Sequence, residues 1–218
     1  MYTGIVQASC PLHQVECKEG LHTLTVTLPE VLLDALVIGA SVGMDGVCLT
    51  VTGIEGGLVS FDVMQQTLDL TTLGALQKGD IVNIERSAKQ GVEIGGHILS
   101  GHIDGTAEII SIKTPENNHV ITYRVDPSFM PYIFGKGFVG LNGCSLTVAS
   151  IDKAASTFSV CLIPETLRIT THGQKGVGDR INVEIDRQTQ VIVDTVKAFL
   201  SENLQGLMSG LMSGDTTI

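Results

Sequence analysis

The hydrophobic positions of this chain alternate with polar ones in short bursts. Leu24-Thr25-Val26-Thr27-Leu28, Leu49-Thr50-Val51-Thr52 and Val59-Ser60-Phe61-Asp62-Val63 place an apolar side chain at every second position, the period of a strand with one buried face. Asp45-Gly46 and Glu55-Gly56-Gly57, which separate these runs, are turn signals. Residues 81–85 close the set. Only 29–36 reads as a helical turn or two, with proline at its start. Residues 2–88 therefore read as short strands and tight turns, the make-up of a small antiparallel barrel.

The same order then recurs. Strands are expected at 106–112, 120–125, 146–151, 157–163 and 180–185, with a short helical piece at 131–133. Gly43-Met44-Asp45-Gly46-Val47-Cys48-Leu49-Thr50-Val51 returns 97 positions on as Gly140-Leu141-Asn142-Gly143-Cys144-Ser145-Leu146-Thr147-Val148, and Thr3-Gly4-Ile5 returns as Ser100-Gly101-His102. After a two-residue insertion, Thr67-Leu68, Thr71-Thr72 and residues 79–85 return 99 positions on. Solenoid units run to roughly 20–50 residues, so this period means two domains of one fold. Units of about 90 residues are marginal alone and are expected to lean on each other or on other subunits.

The expected organisation is an N-terminal barrel over 1–88, a linker over 89–96, a C-terminal barrel over 97–187 and a helix over 188–205. In the helix Val191, Ile192, Thr195, Val196, Phe199, Leu200, Asn203 and Leu204 follow i, i+3, i+4 spacing, an amphipathic pattern suited to packing copies of the chain together. Residues 206–218 repeat Gly-Leu-Met-Ser without caps and are expected to be disordered.

Composition narrows the partners. A net charge of −10 argues against nucleic acid, which is bound through clustered Lys and Arg. Five cysteines without C-x-x-C spacing argue against a zinc ribbon or a disulfide framework and for a reducing compartment. No apolar run approaches the roughly 18 residues of a membrane span, and Met1 leads straight into strand-like sequence, so a cytoplasmic protein is expected. With no Trp, the core falls to Val, Ile and Leu.

Walker, G-x-S-x-G, H-E-x-x-H and G-x-G-x-x-G motifs are all missing, which leaves the contrast between the two copies. Thr50 and Thr147, like Thr67 and Thr166, are shared; they suit either a common polar ligand or a pleated strand. Cys48 is matched by Ser145, and composition alone makes that thiol a small core residue. His102 is matched by Ile5, so only the second copy offers an imidazole there to move a proton. His97 reads as a hydrogen-bonded structural residue.

Met1-Tyr2-Thr3-Gly4-Ile5-Val6, Asp45-Gly46-Val47-Cys48-Leu49-Thr50-Val51, Gly95-Gly96-His97-Ile98-Leu99-Ser100-Gly101-His102, Ser145-Leu146-Thr147-Val148 and Leu162-Ile163-Pro164-Glu165-Thr166-Leu167 resemble, in order, the trimeric alpha-type riboflavin synthase family. The resemblance covers residues 1–204. It implies two six-stranded Greek-key barrels, a C-terminal helix that assembles a homotrimer, and active sites between the N-terminal barrel of one subunit and the C-terminal barrel of its neighbour. It further implies dismutation of two 6,7-dimethyl-8-ribityllumazine molecules into riboflavin and 5-amino-6-ribitylamino-pyrimidinedione by transfer of a four-carbon unit, without cofactor or metal.

Carried over by motif, the resemblance assigns Gly4, Ile5, Val6, Ser41, Cys48, Leu49, Thr50, Asp62, Val63, Met64, Gln65, Gln66 and Thr67 to the site of the N-terminal barrel. The C-terminal barrel receives Gly101, His102, Ile103, Lys136, Ser145, Leu146, Thr147, Ile163, Pro164, Glu165, Thr166 and Asp186. Cys48, His102, Ser41, Ser145 and Asp186 are the implied catalytic groups. The chain departs from the family pattern at Tyr2, where Phe is usual, at Gln66, where Glu is common, and in exchanging acid and amide between Asp45 and Asn142. The alternative is a non-catalytic lumazine- or flavin-binding antenna protein on the same scaffold; such relatives lose Cys48-type and His102-type residues, which this chain keeps.

Overall fold

A computed structural model describes residues 1–116 and 118–212, with side chains to residue 203. The chain divides into two compact units, Met1–Asp186 and Arg187–Ile218. Within the first, each half is a closed antiparallel barrel. Strands β1 (Ala8–Lys18), β2 (Leu21–Thr27), β3 (Ser41–Met44), β4 (Val47–Glu55), β5 (Leu58–Met64) and β6 (Ile81–Arg86) run in the spatial order β1-β2-β5-β4-β3-β6. The pairing of β2 with β5 across the β3–β4–β5 meander makes this a Greek key. Strands β7 (Gly105–Lys113), β8 (His119–Arg124), β9 (Phe138–Leu141), β10 (Cys144–Asp152), β11 (Thr157–Leu162) and β12 (Arg180–Ile185) close in the same cyclic order.

Alternation accounts for the pattern inside each barrel. Leu24, Val26, Val59, Phe61, Val63, Val82 and Ile84 are buried in one core, and Ile109, Ile121, Tyr123, Phe158, Val160, Ile181 and Val183 in the other. Three elements lacked a clear sequence signal. β1 exposes most of its side chains, so its apolar positions carry little period. β3 and β9 are four residues long, too short to show one.

Short helices cap the barrels. Helix α1 (Glu30–Leu33) follows Pro29, as its sequence suggests, whereas α2 (Gln65–Leu70) and α3 (Pro164–Ile169) follow β5 and β11 at repeat-equivalent places. The expected helical piece near 131–133 is a 3-10 segment, Pro127–Tyr132, capped by the Asp126 side chain on the Ser128 amide.

The second unit contains α4 (Arg187–Met212), which extends past the expected end at 205. Part of the expected tail thus lies in α4, and residues 213–218 lie outside the described residues. Val191, Ile192, Val196, Phe199 and Leu200 are exposed on α4.

Candidate active site

The two halves hold each other through exchanged segments. The Ser145 amide donates to the Gly4 carbonyl at 2.9 Å, and the Cys48 amide donates to the Gly101 carbonyl at 2.8 Å. Each segment is also tied to its own barrel: Thr3 donates through its amide and hydroxyl to Glu85 Oε1 at 2.6 and 2.7 Å, and Ser100 does the same to Glu184 Oε1 at 2.6 and 2.7 Å. Gly4 (φ +74°) and Gly101 (φ +82°) turn each segment against its neighbour. A Cβ at Gly4 would lie 2.5 Å from Ser145 Cβ, and one at Gly101 would lie 2.6 Å from Cys48 Cβ, so only glycine fits both the dihedral and the space.

This exchange corrects the grouping expected from the sequence. Gly4, Ile5 and Val6 lie with Ser145, Leu146, Ile163, Glu165 and Thr166 around a cavity of about 230 Å³. Gly101 lies against Cys48, and Ile103 joins the hydrophobic core of the first barrel. Proximity along one repeat does not reveal which barrel a leading segment packs on; the crossed hydrogen bonds do.

On the Ser145 side, His97, expected from the sequence to be a hydrogen-bonded structural residue, has Ser145 itself as its partner. Its backbone amide donates to Ser145 Oγ at 2.9 Å, and its Nδ1 lies 2.6 Å from the same oxygen. The ring stacks on Phe138 with centroids 5.1 Å apart. Burial lowers the His97 pKa, with the charge of Asp186 pulling the other way, so the imidazole is held neutral and able to accept the Ser145 hydroxyl proton. A Cβ at Gly96 would fall 2.7 Å from Ser145 Cβ, which explains the glycine just before His97. The spacing Gly-Gly-His ahead of Ser-Gly-His carried the signal, but only the fold shows that His97 and His102 serve different halves. Lys136 holds a left-handed backbone (φ +67°) where the first repeat has Gly39, a conformation a side chain adopts at a cost of order 1–3 kcal/mol. Thr147 is exposed on β10, and Pro164 opens α3.

On the Cys48 side, the half-buried thiol accepts a hydrogen bond from Tyr2 Oη at 3.1 Å. Ser41 pairs with Thr50 across β3 and β4, placing both beside the Cys48 strand position. Asp62 accepts from the Thr23 hydroxyl at 2.8 Å, and Met64, Gln65 and Gln66 are exposed where β5 passes into α2, with Thr67 half-buried behind them. The Leu49 and Val63 side chains point into the barrel core instead. His102 is exposed next to Gly101, and its amide donates to Ser100 Oγ at 3.1 Å.

The exchanged acid and amide belong elsewhere. Asp45 and Asn142 are buried at the junction between the barrels, at φ +45° and +44°. Asp45 Oδ1 accepts from the Asn83 amide at 2.8 Å and Asn142 Oδ1 from the Asn182 amide at 2.7 Å, while Asn83 Nδ2 donates to the Asn142 carbonyl and Asn182 Nδ2 to the Asp45 carbonyl, each at 2.9 Å. Burial raises the Asp45 pKa to about 7, with the Asn83 hydrogen bond opposing. The pair is a structural lock, distinct from the groups around Ser145 and Cys48.

A family model described as lumazine binding domain matches residues 3–87 and again 100–186. The chain is 52% identical over 202 residues to a riboflavin synthase of Escherichia coli (strain K12), covering 92% of this chain and 94% of that protein. Riboflavin synthases of Buchnera aphidicola subsp. Schizaphis graminum and Chlamydia pneumoniae are 46% and 44% identical, with 95% and 93% of this chain and 99% and 98% of theirs covered. Among solved structures, LumP complexed with riboflavin superposes with a TM-score of 0.79 at 26% identity, covering 86% of this chain and all of that one.

Proposed function

The chain belongs to the riboflavin synthase family of lumazine-binding proteins, and on that premise we propose that it converts two molecules of 6,7-dimethyl-8-ribityllumazine into riboflavin and 5-amino-6-ribitylamino-pyrimidinedione. The observation that carries the reading is the crossed pair of half-sites, in which matched residues of the repeat, Cys48 and Ser145, each meet a glycine turn from the other half. A dismutation needs this kind of duplication, because one chemical species must be bound twice and given two fates.

The inequivalent partners of Cys48 and Ser145 supply the difference. Beside Ser145, His97 is the base for the C7 methyl of a bound lumazine, whose carbanion delocalises into the ring. The proton can travel through the serine hydroxyl. Beside Cys48, the sulfur and the Ser41 hydroxyl stand where they can add to, or hydrogen-bond around, the electrophilic C7 of the second lumazine, with His102 on the adjoining segment. Four carbons then leave one ring system for the other. Holding two rings face to face can replace about 7–11 kcal/mol of entropic barrier in the best cases.

The proposal includes a homotrimer and a cytoplasmic location. The exposed Val191, Ile192, Val196, Phe199 and Leu200 of α4 support assembly, and five free thiols support a reducing compartment. Among the described residues, no helix is long and apolar enough to cross a membrane.

The LumP likeness gives the competing reading, a chromophore carrier. Purified protein incubated with the lumazine separates the two. Riboflavin formation that is lost in both Cys48→Ala and His97→Gln, with lumazine still bound, supports the enzyme; binding without product over hours supports the carrier.

A further inference from the structure

The partners of Cys48 and Ser145 differ in kind as well as identity. Ser145 Oγ faces a ring nitrogen that can take its proton, whereas Cys48 Sγ faces a hydroxyl that donates to it. The repeat does not supply Tyr2 twice, because its counterpart 97 positions on is Leu99.

The Tyr2 ring is fixed before its hydroxyl reaches the sulfur. It is 3% exposed and lies between two glycines: a Cβ at Gly43 would approach Tyr2 Cε1 to 3.2 Å, and one at Gly101 would approach Cε2 to 2.8 Å. Its backbone pairs with Leu99, amide to carbonyl in both directions, at 2.8 and 3.0 Å. A buried hydroxyl without a partner is costly, and here the Cys48 sulfur at 3.1 Å is that partner. Burial first, then the hydrogen bond to Cys48 and the nearby charges of Glu85 and Glu184, raise the Tyr2 pKa, so the phenol keeps its proton and acts as donor. The other side of Cys48 is held by its amide on the Gly101 carbonyl.

We propose that Tyr2 is a positioning residue for Cys48: its hydroxyl donates to the sulfur and aims it, so that this half-site presents an oriented sulfur while the Ser145 half-site presents a proton acceptor. A Phe at this position, as in the family pattern, keeps the ring packing and gives up the donor. Only the part of the proposal that concerns turnover rests on the riboflavin synthase reading.

The test uses the full chain and Tyr2→Phe. Alkylation by iodoacetamide at pH 7 is followed residue by residue by peptide mass spectrometry, with the exposed Cys17 and Cys161 as internal references. Cys48 is expected to react about two- to tenfold more slowly in Tyr2→Phe, the range of one hydrogen bond, while Cys17 and Cys161 keep their rates. Unchanged or faster alkylation of Cys48 relative to the references would overturn the proposal. A second arm measures lumazine turnover for Tyr2→Phe. If Tyr2 acts by aiming the sulfur, kcat falls with KM little changed; an unchanged kcat overturns the assignment. Absence of all turnover would refute the enzymatic reading and leave the alkylation result to decide on Tyr2.

Discussion

Asp45→Asn should stabilise the chain at alkaline pH, because the junction between the barrels buries a carboxyl group in a place its repeat mate fills with an amide. Asp45 is 3% exposed, and burial raises its pKa from 3.8 to about 7. The folded value lies above the unfolded one, so the fold prefers the protonated acid. Stability carried by this group is fully present below about pH 4, declines as pH rises and is lost once pH passes about 7. At about 1.4 kcal/mol per pKa unit, the accumulated loss by pH 8 is up to about 4 kcal/mol. An amide carries no such penalty, and the Asn142 Oδ1 contact with the Asn182 amide at 2.7 Å shows that the geometry accepts one. Set against this gain is the cost of placing an extra N–H₂ in the junction, about 1–3 kcal/mol if it finds no acceptor. The assay is urea unfolding of parent and variant at pH 5 and pH 8. The parent should lose more stability than Asp45→Asn between the two, with the variant ahead by about 1–3 kcal/mol at pH 8. Equal losses in the two proteins would show that Asp45 ionises without penalty in the fold and would refute the reasoning. Asn142→Asp supplies the converse, a second buried acid and a steeper decline.

Other outcomes follow from the same geometry. His97→Gln should lower lumazine turnover by about 10²-fold in kcat with a smaller change in KM, since it removes a base while sparing most of the cavity lining. His172 is fully buried, its pKa lowered to about 4, and the first repeat has Leu73 at its place. Stability tied to it is present above pH 6.5 and falls as pH drops toward 4, so His172→Leu should flatten the acid side of the stability profile by up to about 3 kcal/mol in urea titrations. Gly4→Ala and Gly101→Ala should each lower the unfolding midpoint in urea by about 1–3 kcal/mol of stability and abolish lumazine binding at the adjoining half-site, read by fluorescence titration. Deleting residues 188–218 should convert the proposed trimer to smaller species by light scattering; an unchanged mass would remove α4 from assembly.

The barrels were legible because their code is local. Period-two runs such as 24–28 and 59–63, the Asp45-Gly46 and Asn142-Gly143 corners, and the shift of 97 fixed two copies of one fold. Strand β1 was not legible, since an exposed strand carries no hydrophobic period. Cys48, Ser145 and the glycine turns could be marked from motif and repeat, but their grouping could not. Which barrel receives Gly4 or Gly101 is decided by packing between halves, through contacts 141 and 53 positions apart in sequence that leave no periodic trace. His97 and Tyr2 are instructive in the same way. Each is remote in sequence from the group it serves, by 48 and 46 positions, and only hydrogen-bond geometry joins them to Ser145 and Cys48. Asp45, the acid of the exchanged pair, is buried at a junction that no local pattern in the sequence marks.

The most direct test of the central claim is a mass balance on the purified full chain given 6,7-dimethyl-8-ribityllumazine alone, in buffer without added cofactor. One riboflavin and one 5-amino-6-ribitylamino-pyrimidinedione are expected for every two lumazines consumed. Bound lumazine recovered unchanged, or riboflavin formed without its pyrimidine partner, would contradict the claim.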